Sequence, residues 1–248
     1  MGNNGYETVL LVADTHFHLD PDPEERIRLR RFLSFLEISA GVDHLVLLGD
    51  IFDFWFDYPH FRLKGYDDLL HGLDLVRDAG TRIHFVGGNH DIWASGYFHR
   101  RYGCSENGGP LTLNAGGLRM RLIHGDGMLG RDLLYRCFRW IVRRRLGIIC
   151  AKSLHPEILF AISTWLSGRS RMATRDEASR IETLAARRLP RMQGDWDLAV
   201  IGHVHHPFIV EHQSRKLAAL GGWLGREGYG IAREGRFELR DFEDGPPI

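Results

Sequence analysis

Residues 44–53, His-Leu-Val-Leu-Leu-Gly-Asp-Ile-Phe-Asp, decide the fold. The run 44–48 is continuously apolar, the pattern of a strand buried on both faces. Gly49 then lets the backbone turn sharply, and Asp50 is left at the strand's end. The same form recurs along the chain. Residues 7–13 (ETVLLVA) lead into Asp14-Thr15-His16, and 82–86 lead into Gly87-Gly88-Asn89-His90-Asp91. Residues 118–123 lead into His124-Gly125-Asp126, and 199–201 into Gly202-His203-Val204-His205. Polar clusters collected at strand ends on one sheet edge are where α/β proteins build sites.

The intervening segments fit that layering. Residues 24–40 carry Ile27, Leu29, Phe32, Leu33 and Leu36 near a helical period and stop at Gly41, and 67–79 is a second helix stopped by Gly80. The first ~90 residues thus alternate strand and helix. Residues 111–114 and 118–123 flank Ala115-Gly116-Gly117 as a hairpin, about 132–191 is helical, and strands follow at 199–201, 208–212, 216–220, 229–233 and 236–240. The 248 residues are enough to bury a full core without disulfide staples. The composition, 44% hydrophobic and 26% charged, excludes disordered, collagenous and small disulfide-rich classes. Cys104, Cys137 and Cys150 match no zinc spacing and are odd in number, which suits a reducing compartment. No secretory leader and no spanning segment is expected, so the reading is cytoplasmic, or peripheral on an inner membrane.

The clusters offer two aspartates, one asparagine and four histidines with no thiolate, a donor set for Mn²⁺, Fe²⁺, Zn²⁺ or Co²⁺. Seven side chains exceed what one open catalytic ion needs. Shared through one bridging carboxylate they would hold two ions, and such pairs, ~3.5–4 Å apart, clamp phosphoryl groups and activate water. Each cluster taken singly has a plainer reading. Asp14 alone is a turn residue, the GNHD segment alone a loop, and His203 and His205 alone an exposed strand face. Asp53, Asp126 and His206 stand beside these clusters either as supports or as ordinary turn and surface residues.

In order, D-x-H, GD, GNHD, HGD and GHxH resemble the calcineurin-like metallophosphoesterase family from Asp14 to about Pro207. The resemblance implies one domain over 1–248, a four-layer α/β/β/α sandwich with a helical insertion over 127–193. It implies one metal held by Asp14, His16, Asp50 and His205 and a second by Asp50, Asn89, His124 and His203. Two divalent ions, Mn²⁺ favoured, would supply a bridging hydroxide, with His90 assisting the departing oxygen and Asp91 orienting His90.

Within that family the aromatic run from Asp50 to Phe56, the GHxHxP ending and the spacing from His124 to Asp132 and Tyr135 are similar to the UDP-2,3-diacylglucosamine hydrolase branch. That likeness implies a nucleotide-activated glycolipid split at its pyrophosphate, with Asp132 and Tyr135 in the substrate cleft. The branch carries GNRD where this chain has Gly88-Asn89-His90-Asp91, so another small phosphodiester or nucleotide stays open as the substrate. A non-enzymatic membrane- or nucleic-acid-binding module is the reading from another class, and the complete ligand set argues against it. The charge count bears on partners. Lys+Arg and Asp+Glu are each 32, a net of zero that argues against nucleic acid as partner, but residues 127–193 hold 13 Arg and 1 Lys against 5 acidic residues. Interleaved with Leu133, Leu134, Phe138, Trp140, Ile141 and Val142, these cations suit an anionic membrane surface or a diphosphate, as well as a solvated face of packed helices.

Overall fold

The computed structural model describes residues 7–56, 64–128 and 175–242. Two five-stranded sheets lie at its centre. The first has the order β10-β9-β1-β2-β3, built from β1 (Val9–Val12), β2 (His44–Leu47), β3 (Arg82–Phe85), β9 (Gly228–Arg233) and β10 (Arg236–Asp241). The second has the order β4-β5-β6-β8-β7, from β4 (Leu111–Ala115), β5 (Leu118–Ile123), β6 (Leu198–Ile201), β7 (Phe208–His212) and β8 (Arg215–Ala219). β1–β2–β3 run parallel, as do β5–β6–β8, and the hairpins at the edges are antiparallel, so both sheets are mixed.

Burial follows strand position. Every residue of β1, β2 and β6 is buried, as expected for central parallel strands covered on both faces. β7 at the sheet edge and β5 in the β4–β5 hairpin alternate instead between buried and more exposed residues. Val9, Leu11, Val46, Met120, Leu122 and Val200 form the core between the two sheets. The opposite faces of β1 and β2 meet helices α1 (Pro23–Ser39), α2 (Asp67–Asp78) and α3 (Ser95–Tyr102) through Leu10, Leu45, Phe32, Phe35, Leu70 and Phe98. The outer face of the second sheet packs on α4 (Arg175–Arg188) and the turn after it through Ala185, Leu189, Leu217 and Ala219. The layers are therefore α/β/β/α, as the motif order implies. Each fully buried Leu, Val or Phe contributes roughly 1.5–3 kcal/mol, so strands such as β1 are held mainly by burial.

α1 starts where its sequence says it should. The Asp22 side chain accepts a hydrogen bond from Glu25 N at 2.8 Å, and Pro23 occupies the first turn. Phe32 and Phe35 on its buried face pack their rings against Trp223 at 4.8 and 5.4 Å between centroids. α3 was not expected from sequence. Its eight residues, SGYFHRRY, bury only Ser95 and Phe98, too few to print a helical stripe. Phe98 nonetheless anchors it, stacked on Phe85 at 4.2 Å. The aromatic run after Asp50 is packing: Phe52 and Trp55 join the main core, and Phe54 and Phe56 cluster with Trp93 and Leu19. Most of the 127–193 insertion, with Asp132, Tyr135, Cys137, Cys150 and the Arg143-Arg144-Arg145 run, lies outside the described residues.

Away from the motif clusters, His44 and His84 pair across β2 and β3, with Nδ1 and Nε2 2.8 Å apart. Burial, His44 and Arg82 push the His84 pKa down to about 4. The unfolded chain, with an ordinary histidine near 6.5, takes up the extra proton first, so stability is full above about pH 6.5 and falls as pH drops toward 4. Acid titration of the melting temperature should show this slope, on the order of 1–2 kcal/mol after solvent screening, and His84→Gln should flatten it. An unchanged slope in the variant would assign the acid loss to other groups.

Candidate active site

The polar clusters meet at one end of the two sheets. The turn after β1 and the turn after β2 are bonded side by side: Asp14 N donates to Gly49 O, and His16 N to Asp50 O, at 3.0 and 2.9 Å. Four non-glycine residues here adopt left-handed backbone, Asp14 (φ +55°), His16 (+45°), Asp50 (+52°) and His203 (+63°). Such conformations cost about 1–3 kcal/mol each and persist where the surroundings impose them. The chain accepts that strain so that side chains from separate strands point inward together.

Asp14, His16 and His205 offer ligand atoms all within 4.8 Å of one another, and so do Asp50, His124 and His203. A third trio, His16, Asp50 and His90, overlaps both. Asp50 belongs to the second and third trios and faces the first through His16. Its Oδ1 accepts from His90 N at 2.9 Å, while Oδ2 lies 3.2 Å from His124 Nε2 and 3.9 Å from His16 Nε2. Asn89 joins the second group, its Oδ1 3.3 Å from His124 Nε2. His124 Nδ1 donates to Leu48 O at 2.9 Å, which fixes the tautomer and leaves Nε2 turned to the centre. His203 N donates to both oxygens of Asp14, at 3.0 and 2.8 Å, tying the last motif to the first. The rings of His16 and His205 stack at 5.3 Å, and His124 meets His203 edge-on at the same distance.

The electrostatics show what the donors lack. Burial, reinforced by the Asp50 charge, pushes the Asp14 carboxyl up to about 8. Burial pulls the other way on Asp50, yet His124 and His90 hold it well below the usual carboxylate range. Burial would lower His124, but the Asp50 charge and hydrogen bond carry it up to about 10. Burial and the His124 charge push His203 down to about 4, and burial takes His16 well below its ordinary value, so both rings are neutral lone-pair donors. His16 Nδ1 is a buried ring nitrogen with no hydrogen-bond partner among the described residues. Two divalent cations fit this set: they would let Asp14 ionise, replace the extra proton at His124 and use the neutral imidazoles.

One role differs from the sequence reading. Asp91, expected to orient His90, turns its buried carboxylate onto backbone instead, accepting from Ile51 N at 2.7 Å, Gly88 N at 2.8 Å and Asp50 N at 3.2 Å. It thereby splices the GNHD loop to the Asp50 turn, and burial and the Asp50 charge raise its pKa to about 6. The group that meets the His90 ring is Asp53, whose carbonyl accepts from His90 Nδ1 at 2.9 Å and whose Oδ1 lies 3.6 Å from the same nitrogen. Asp53 sits three residues past Asp50, and that spacing was its sequence signal. Asp126 is buried nearby, and its charge raises the proton affinity of His124 and His203. His206 reaches away, pairing through Nε2 with Glu182 Oε1 of α4 at 2.8 Å. Asp132 and Tyr135 lie outside the described residues.

Residues 7–207 match the calcineurin-like phosphoesterase family. The chain belongs to that family. It is a metal-dependent hydrolase. It is 29% identical over 244 residues to a UDP-2,3-diacylglucosamine hydrolase of Ectopseudomonas mendocina (strain ymp), spanning 95% of this chain and 98% of that one. Another protein of that name, from Pseudomonas aeruginosa (strain UCBPP-PA14), is 30% identical over 90% of this chain and 94% of its own. Among solved structures, a dimetal phosphatase from Danio rerio aligns over 98% of each chain with a TM-score of 0.47 at 15% identity.

Two glycines let this phosphoesterase site close. A Cβ on Gly222 would sit 2.9 Å from Asp14 Cβ, and one on Gly88 would lie 2.1 Å from Asp50 Oδ1 and 2.5 Å from Asp50 N. Gly88→Ala should therefore displace Asp50. Elemental analysis after Mn²⁺ loading should show fewer bound ions than wild type, with a stability loss of about 1–3 kcal/mol. Full metal content in the variant would contradict this packing account.

Proposed function

We propose that the chain hydrolyses the pyrophosphate bond of UDP-2,3-diacylglucosamine, releasing UMP and 2,3-diacylglucosamine 1-phosphate. The observation that supports the chemistry is Asp50, which belongs to the trio with His124 and His203 and whose Oδ2 also lies 3.9 Å from His16 Nε2 of the neighbouring trio. The substrate rests on the hydrolases of that name, whose similarity spans 95% of the chain and so includes the 127–193 stretch.

The two trios support the following roles. Asp14, His16, Asp50 and His205 would hold one divalent ion and Asp50, Asn89, His124 and His203 the other, with Mn²⁺ favoured. When bound, the ions would neutralise the phosphoryl oxygens and make water a competent nucleophile at neutral pH. Water adds its oxygen to one phosphorus, and the bridging oxygen departs with the other phosphate. His90, its Nδ1 hydrogen bonded to the Asp53 backbone carbonyl, would act with both ring nitrogens protonated and give the Nε2 hydrogen to that departing oxygen. A positioned imidazole of this kind contributes ~10²–10⁴-fold. Asp132 and Tyr135 are assigned to the substrate cleft. The basic, apolar 127–193 stretch is assigned to an anionic membrane surface, consistent with a glycolipid substrate. No helix among the described residues is long and apolar enough to cross a membrane.

Purified protein incubated with Mn²⁺ and the lipid nucleotide in detergent should release UMP, measured by liquid chromatography. Chelation of the metal should abolish the release, and His124→Ala should reduce it by at least ~10²-fold. Equal turnover of water-soluble pyrophosphates, indifferent to detergent or lipid, would replace the glycolipid with a small-molecule substrate. Full activity in His124→Ala would overturn the metal chemistry itself.

A further inference from the structure

Glu25 stands at the third position of α1, beyond the Asp22 cap. A glutamate there commonly reaches back to the amide of the cap residue. Here both carboxylate oxygens are turned to His18 instead, Oε1 accepting from His18 N at 2.6 Å and Oε2 lying 2.6 Å from His18 Nδ1. Arg28 completes the outer end, 3.5 Å from Glu25 Oε1 and stacked over the Phe17 ring at 4.7 Å. Glu25 is 7% exposed, so this arrangement is built into the fold. Burial alone would raise its pKa, and the His18 bonds and charges hold it below the ordinary value.

With Nδ1 engaged by Glu25, His18 presents Nε2 to Asp53 Oδ2 at 3.5 Å. The other oxygen of Asp53 faces inward, 3.6 Å from His90 Nδ1 and 3.8 Å from His16 Nδ1. These are ion-pair separations, and contacts of this kind commonly tighten in a substrate complex. Carboxylate and imidazole thus alternate from Glu25 through His18 and Asp53 to His90. The terminal torsion of an aspartate is broad and roughly two-fold, so partners decide how its oxygens face. Asp53 has imidazoles on both sides, and His18 is the one on the outer side.

We propose that Glu25 and His18 are positioning residues of the hydrolytic site: Glu25 locks the His18 ring, and His18 fixes the Asp53 carboxylate, whose inner oxygen lies 3.6 Å from the His90 Nδ1 that the Asp53 backbone carbonyl binds. The inference rests on the phosphoester-hydrolase reading and is independent of which phosphoester is cleaved. A purely structural role would end at the link between His18 and α1.

His18 borders a groove of about 760 Å³, so a smaller side chain there opens no buried cavity. His18→Asn keeps a donor near the Nδ1 position for Glu25 and loses the reach to Asp53. Turnover should fall by about 10- to 100-fold with KM near wild type, while Mn²⁺ content and melting temperature stay unchanged. Glu25→Gln should lower turnover by less, and His18→Asn should add nothing further in an Asp53→Asn background. The cycle is measured on UMP release and on bis(p-nitrophenyl) phosphate. Failure of the first substrate alone refutes the glycolipid assignment and leaves this inference standing. Independently of turnover, the ring ¹⁵N resonances of His90 should move in His18→Asn. Unmoved His90 resonances, or wild-type turnover in that variant, would overturn the inference.

Discussion

Asp50 is a fully buried carboxylate, 2% exposed, on a left-handed backbone at the end of a buried strand. Its two oxygens face the His90 amide on one side and His124 with His16 on the other. Much of the surrounding structure can be understood as what keeps that carboxylate in place. Asp91 binds the amides of Asp50 and Ile51, Gly88 leaves the space that the carboxylate fills, and the β1 turn is bonded to the β2 turn along its length. Removing one partner of a buried charge leaves that charge uncompensated, at a cost of about 3–5 kcal/mol.

The zero net charge of the chain conceals this local excess. Residues 127–193 carry 14 basic against 5 acidic side chains, and the remainder is acidic by the same margin. Part of that acidity is Asp14, Asp50, Asp53, Asp91 and Asp126, all buried around the site. Bound cations are the largest local charges in such a site and reverse its proton affinities. The elevated carboxyl of Asp14 and the elevated imidazole of His124 are two faces of the same deficit.

Much of the architecture was legible because its signals are local. A four-residue apolar run ending in Gly-Asp or Asp-x-His locates a buried strand and the polar cluster after it, and six of the seven expected ligands fall into two neighbouring trios, with Asn89 beside His124. What sequence misjudged depends on where side chains turn. Asp91 is adjacent to His90, and adjacency suggested contact, yet its carboxylate turns to backbone 40 residues away. His18 carries no local sequence signal, because Glu25 lies on the next element and Asp53 35 residues on. α3 escaped notice because its two buried residues cannot show a period, and the sequence does not say which neighbours Phe54 and Phe56 pack on, here Trp93 and Leu19.

The central claim is that one carboxylate serves two ions. Crystals of the Mn²⁺-loaded protein, measured at the manganese absorption edge, test it most directly. Two anomalous peaks ~3.5–4 Å apart, with Asp50 between them, are the predicted result. A single peak, or two peaks that do not share Asp50, would contradict the account.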